Sequence, residues 1–277
     1  MNSGPVSKNK IDSGEGSANA SRAGFRGYWF VSALFAAVGI AVMPWDKMLA
    51  DPNNMESLPG DLTRIVTLTE IFAHGFGIIL VGCSIWVFSS ANRKLIPRIA
   101  MCAIWPAMGV HLVKLLFARF RPIKYFDELS QAHFPSSIGD TFLGFMPADR
   151  FNTVYAEQSF PSAHAATVWG LAIGMSWAFP KGRWLFFGIA ILASIQRVTS
   201  FAHWSSDVLW GIAIAFLMAG ALTHNWGLGW VLQRIENWAS SVSLFEEEKH
   251  LGIEANLFED IPKPTPKRSS NRPSKAA

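Results

Sequence analysis

The chain has 277 residues, 50% of them apolar and only 16% charged, with 12 Trp and 21 Phe beside three Tyr. Soluble domains carry about 25% charged residues, so this composition excludes an ordinary water-facing globule, an intrinsically disordered chain and a nucleic-acid-binding domain. Net charge is +4, and the two cysteines, Cys83 and Cys102, both sit inside apolar runs, which argues against a disulfide-stapled secreted fold.

Residues 1–26 are rich in Gly, Ser, Asn and Ala with a few basic residues, and read as a flexible cytoplasmic tail. The first apolar run, Tyr28 to Trp45, ends in Met43-Pro44-Trp45 rather than in the small residues of a signal-peptidase site, so it reads as a retained anchor. A helix needs about 20 residues to cross the hydrocarbon core. By that measure the spans fall near 28–45, 67–90, 97–117, 163–180, 184–200 and 207–226. The expected fold is all-α: an integral membrane bundle of about six transmembrane helices over residues 27–227. Residues 228–277 form a cytoplasmic C-terminal tail, in which Trp230, Leu232, Ile235 and Trp238 give an amphipathic segment suited to the leaflet surface.

Orientation follows from the charges in the loops. The 91–98 linker carries Arg93, Lys94 and Arg98 without an acid, and the 181–183 linker carries Lys181 and Arg183. The 46–66 loop has Asp46, Asp51, Glu56 and Asp61 against two basic residues, and Lys263 to Lys275 holds five basic residues and no acid. Both termini and the basic linkers are therefore placed in the cytoplasm. Loops 46–66, 118–162 and 201–206 lie on the other side.

Three cations break this pattern. Lys114 closes the third span, Arg121 lies just beyond it, and Arg197 ends the fifth. A charge at membrane depth costs roughly 2.5–3.5 kcal/mol on insertion scales. Any one of them could snorkel to the headgroups, but three on one face point to an anion, with phosphate the obvious choice. The fourth span opens at Pro161-Ser162-Ala163-His164, where backbone N–H groups and the helix dipole favour an anion, although a Ser there also serves as an ordinary N-cap. His203 and Asp207 are four apart, so on a helix they share a face and a carboxylate can orient an imidazole.

These residues resemble three blocks of the type 2 phosphatidic acid phosphatase superfamily, the membrane lipid phosphate phosphatases. Lys114 and Arg121-Pro122 enclose six residues, as the first block requires; Pro161-Ser162-Ala163-His164 stands where the family has Pro-Ser-Gly-His; and Gln196-Arg197, His203 and Asp207 match the third block. The two departures are Ala163, which keeps the backbone N–H, and Gln196 in place of a serine, whose amide can still donate.

The resemblance implies roles. His203 would be the nucleophile that forms a phosphohistidine, Asp207 would orient it, and His164 would serve as general acid and then general base. Lys114, Arg121, Ser162, Ala163 and Arg197 would bind the phosphoryl oxygens. No carboxylate cluster calls for Mg²⁺, so neither metal nor cofactor is expected.

The implied substrate is a lipid phosphate of the phosphatidic acid, phosphatidylglycerophosphate, isoprenyl diphosphate or lipid A class, met by an active site on the non-cytoplasmic, periplasmic side of a bacterial inner membrane. The rivals are a lipid-to-lipid phosphotransferase and a transporter or scaffold with a relict anion site. Glu70 and His74, four apart in the second span, read as a buried polar pair gluing helices together. The aromatic 118–160 loop reads as lying along the interface, and His111 as packing.

Overall fold

The computed structural model describes residues 12–51, 59–129, 141–145, 157–224 and 228–241. Most of the 118–160 loop, including His133, Phe134, Phe151 and Tyr155, lies outside these residues, as does the basic stretch at 263–275. The chain forms two compact units, residues 1–234 and 235–277, of which the first holds everything below. In the second, residues 235–241 are helical and Trp238 is exposed.

The protein is an all-α membrane protein. Its helices are α1 (Asp12–Val42), α2 (Asp46–Leu49), α3 (Gly60–Leu68), α4 (Gly75–Phe88), α5 (Ile96–Lys114), α6 (Pro122–Leu129), α7 (Ala163–Ala178), α8 (Arg183–Thr199) and α9 (Ser205–Leu222). Residues 228–234 are helical as well. A short antiparallel pair, Ala118–Arg119 with Phe142–Gly144, is the sole sheet among the described residues. Large apolar side chains such as Phe30, Phe76 and Phe88 stand open on the helix faces, an arrangement suited to lipid rather than water.

Three helical stretches are long and apolar enough to cross a bilayer: Arg26–Leu49, Ser90–Lys114 and Ser205–Leu222. The predicted second span is not a single rod. Gly60–Ala73 and Gly75–Phe88 meet at an 80° bend. His74 takes an extended conformation there (φ −109°, ψ 157°) and so interrupts the helical hydrogen-bond ladder. Helices α7 and α8 have 16 and 17 residues, about 24 and 26 Å at 1.5 Å per residue, slightly short of a typical hydrocarbon core.

Close helix approach shapes the core. Helix α7 packs on α5, α8 and α9, and α1 packs on α9. Ala166, Gly170 and Gly174 recur at four-residue spacing on α7, the small-residue pattern that lets membrane helices touch backbone to backbone. A Cβ at Gly170 would stand 2.1 Å from the Cys102 carbonyl oxygen of α5, so only glycine fits. Two side-chain bonds add specificity: Trp169 Nε1 donates to Ser194 Oγ at 2.9 Å, joining α7 to α8, and Ser32 Oγ donates to the Ala213 carbonyl at 2.8 Å, joining α1 to α9.

Arg98 departs from its reading as a loop cation. It lies inside α5, fully buried, and donates to the carbonyls of Leu222 (3.0 Å) and Gly229 (3.1 Å) and to Gln233 Oε1 (3.2 Å). The guanidinium thus satisfies the Leu222 carbonyl at the C-terminal end of α9, which would otherwise be left without an intrahelical donor. Two of these acceptors lie beyond residue 227.

Candidate active site

The end of α5, the starts of α7 and α9 and the end of α8 meet at one end of the bundle, opposite Arg98. Lys114, in the last turn of α5, is buried and donates through Nζ to the Gln158 carbonyl. Arg121 reaches the same carbonyl through Nη2 at 3.5 Å and the Ala202 carbonyl through Nη1 at 3.0 Å. The two cations are thereby brought against both the 157–162 segment and the loop before α9. That loop is tied to α8 as well, because the His203 N–H donates to the Arg197 carbonyl at 3.1 Å.

The 157–162 segment enters α7 through a cis Phe160–Pro161 bond. Ser162 is fully buried and acts as N-cap, its Oγ accepting from the Ala165 N–H at 3.3 Å while its own N–H donates to the Asp207 carbonyl at 3.0 Å. Gly211 allows this contact, since a Cβ there would stand 2.4 Å from the Ser162 carbonyl oxygen. Ala163 and His164 follow in the first turn of α7, where N–H groups lack intrahelical acceptors and the dipole favours negative charge.

His203 is buried, and its Nδ1 lies 2.7 Å from the Ser159 carbonyl oxygen and 3.8 Å from Asp207 Oδ2. The near acceptor is therefore a backbone carbonyl, which holds the proton on Nδ1 and leaves Nε2 as the electron-pair donor. Asp207 sits one layer behind. Its Oδ2 accepts from Ser159 Oγ at 2.5 Å and from the Trp204 N–H at 3.1 Å, and its Oδ1 pairs with Arg119. The expected orienting role of Asp207 thus runs through Ser159 as well as through charge. Burial pushes the imidazole of His203 down to about 4; Asp207 pulls the other way, and the charges of Arg121 and Lys114 add to the lowering.

His164 lies within electrostatic reach of Arg197, His203, His74 and Arg121, in that order of strength. Hence all the candidate site residues occupy one region: Lys114, Arg121, Ser162, Ala163, His164, Arg197, His203 and Asp207. Several partners were not singled out by pattern. Arg119 is buried between Asp207 and Asp46, with Nη2 2.7 Å from Asp46 Oδ2. Gln196 and Glu70 grip Arg197: Gln196 Oε1 accepts from Arg197 Nε at 2.5 Å, Glu70 Oε1 pairs with Arg197 Nη2 at 2.5 Å, and Gln196 Nε2 donates to Glu70 Oε2 at 2.9 Å. Glu70 thus does more than join helices, while His74 is exposed rather than part of a buried pair. The signal available for this was the acid inside an apolar run and the glutamine beside Arg197, which together close a ring of three bonds.

An all-α membrane bundle with buried cations and two imidazoles gathered at one end defines the class: a helical membrane protein with a polar cluster at the end of its apolar helices. Residues 94–228 match the model of the PAP2 superfamily. The matched segment contains every candidate residue from Lys114 to Asp207, and leaves Asp46, Glu70 and His74 outside it. Among solved structures the chain is similar to the first transmembrane PAP2-type phosphatidylglycerolphosphate phosphatase from Bacillus subtilis, at 15% identity and a TM-score of 0.41, over 73% of this chain and 93% of that one. No curated protein matches the chain.

Proposed function

We propose that this protein is a membrane lipid phosphatase that removes phosphate from a lipid headgroup through a phosphohistidine, without a metal ion. The observation that carries the reading is the meeting of Lys114, Arg121 and Arg197 with the two histidines at one end of the bundle, within a segment that matches the PAP2 superfamily model. Three cations neutralise the charge of a phosphoryl group, and N–H groups of the first turn of α7 add donors at its equatorial oxygens.

Neutral His203 attacks phosphorus through Nε2, forming a P–N bond as the P–O bond to the lipid breaks. His164 gives a proton to the leaving alkoxide and is then the base that deprotonates water. That water attacks phosphorus, the P–N bond breaks, and phosphate leaves with His203 restored. The Ser159 carbonyl and the Asp207 carboxylate stabilise the positive charge that His203 carries in the intermediate.

We place α7 and α8 as two further spans, giving about six with the broken α3–α4 pair, and put the site on the non-cytoplasmic face of a bacterial inner membrane. Arg93 and Lys94 before α5, and Lys181 and Arg183 before α8, support this orientation. The lipid tail then stays in the bilayer while its headgroup meets the cations.

The test is phosphate release by purified protein in detergent from phosphatidic acid, phosphatidylglycerophosphate, an isoprenyl diphosphate and lipid A, with and without EDTA. Hydrolysis of at least one lipid, undiminished by chelator, is the expected result. Activity lost in EDTA and restored by Mg²⁺ would overturn the metal-free reading.

A second expectation concerns pH. Because the folded value for His203 lies below the ordinary 6.5, its imidazole stays neutral, and reactive, as pH falls through 6 and 5, and gains a proton near 4. The same shift contributes stability that is complete above about 6.5 and is lost between there and 4. Nitrogen-15 spectra of histidine-labelled protein, with His203 assigned from the His203→Asn variant, should show a neutral ring at pH 5.5. A ring already protonated there would contradict the reading.

A further inference from the structure

Glu70 and His74 stand at the bend between α3 and α4, beside His164. His74 Nε2 is 3.5 Å from Glu70 Oε1, and its ring meets that of His164 edge to face with centroids 4.8 Å apart. One ligand atom from each of Glu70, His74 and His164 lies within 4.8 Å of the other two. Two imidazoles and one carboxylate form the donor set that catalytic zinc sites and related transition-metal sites use, with positions left for water.

The carboxylate is already oriented by Gln196 and Arg197 on its two oxygens, much as outer-shell partners fix ligating groups. The His74 side chain is 52% exposed, so an ion has an open approach from its side. Hard cations are poorly served, since Mg²⁺ and Ca²⁺ need six or more oxygen donors. The Arg197 charge also opposes any cation, which favours the ions that bind nitrogen most strongly.

We propose that Glu70, His74 and His164 form a binding site for a divalent transition-metal ion of the Zn²⁺ type, and that its occupation inhibits the enzyme. Metal on His164 takes the lone pair that accepts and returns the proton, and it draws Glu70 away from Arg197. Side-chain rotation of His74 and His164 brings the ligand atoms from 4.8 Å to the closer spacing that metal–nitrogen bonds of about 2.0–2.1 Å require. Inhibition rests on the phosphatase reading above; binding of the ion does not.

Tag-free protein in metal-free detergent buffer is titrated with Zn²⁺ alone by calorimetry, and with Co²⁺ while its visible absorption is followed. The wild type should bind one equivalent, which His74→Ala, His74→Asn and Glu70→Gln each weaken by at least about tenfold. Zn²⁺ should inhibit wild-type hydrolysis and EDTA should reverse this, while His74→Ala hydrolyses lipid at the wild-type rate and resists the metal. Thermal melting identifies a misfolded variant, in which case His74→Asn decides. Equal Zn²⁺ binding by wild type and a folded His74 variant, or unchanged inhibition in that variant, overturns the site. If no protein hydrolyses any lipid, the phosphatase reading falls and the binding comparison still decides the metal site.

Discussion

Replacing His203 with Ala is expected to lower lipid phosphate hydrolysis by about 10,000-fold or more, the usual consequence of removing a nucleophile. The residue is buried with its Nδ1 held by the Ser159 carbonyl at 2.7 Å, which fixes where Nε2 stands. Quenching in alkaline detergent after mixing with a radiolabelled lipid phosphate should trap base-stable, acid-labile label on the wild type and none on the variant. Asp207→Asn should lose less, because Ser159 still fixes the imidazole, although the intermediate's positive charge loses its counter-ion. Labelled His203→Ala protein would remove this histidine from the proposed role. Equal losses in the two variants would show instead that the carboxylate and the imidazole act as one unit.

The second large effect is expected at Arg119, which touches no substrate. Its Nη1 donates to Ser206 Oγ at 2.8 Å and pairs with Asp207, its Nη2 pairs with Asp46 at 2.7 Å, and its Nε donates to Thr141 Oγ1 at 3.2 Å. The guanidinium plane also lies over Phe142, 4.5 Å from the ring centre. Asp46 in turn accepts from the Ser206 N–H at 3.0 Å at the start of α9. One cation therefore compensates two carboxylates, both buried. Arg119→Met should cost about 3–5 kcal/mol, because each acid is left without its counter-charge. Arg119→Lys should recover little, since a point charge cannot serve both acids through a planar fork. Unfolding in detergent, followed by tryptophan fluorescence, measures the loss. A variant within about 1 kcal/mol of wild type would show that water reaches these carboxylates.

Arg119 stands beside Arg121 in the sequence, just beyond Lys114, but its partners are hidden by their distance along the chain. Lys114, Arg121 and Arg197 declare themselves because a charge beside an apolar run is costly and so conspicuous. Asp46 is one acid among four in a loop, and nothing in its spacing connects it to residues 73 and 160 positions away. Ser159 is harder still. It holds His203 through a backbone carbonyl, which any residue possesses, so no side chain advertises the role.

The bend at His74 is hidden for another reason. Hydropathy runs on unbroken from Ile71 to Phe88, and only the pair Gly75 and Gly77 marks where the axis turns; a Cβ at Gly77 would stand 2.2 Å from the Ile71 carbonyl oxygen. Helix existence was legible from apolar length alone. Helix straightness depends on local backbone contacts that a window average removes. Gln196 shows the converse case. As a departure from the family pattern it looked like a lost hydroxyl, yet its amide bridges Glu70 and Arg197 in a way that a shorter serine could not.

Arg98 carries a practical lesson for anyone trimming this protein. Its guanidinium plugs the carbonyl end of α9 with the help of Gly229 and Gln233. A stop codon placed directly after the last apolar helix would discard both of those acceptors and loosen the bundle from the end farthest from the chemistry. Shortened versions for crystallisation or spectroscopy should therefore keep the chain through Arg234.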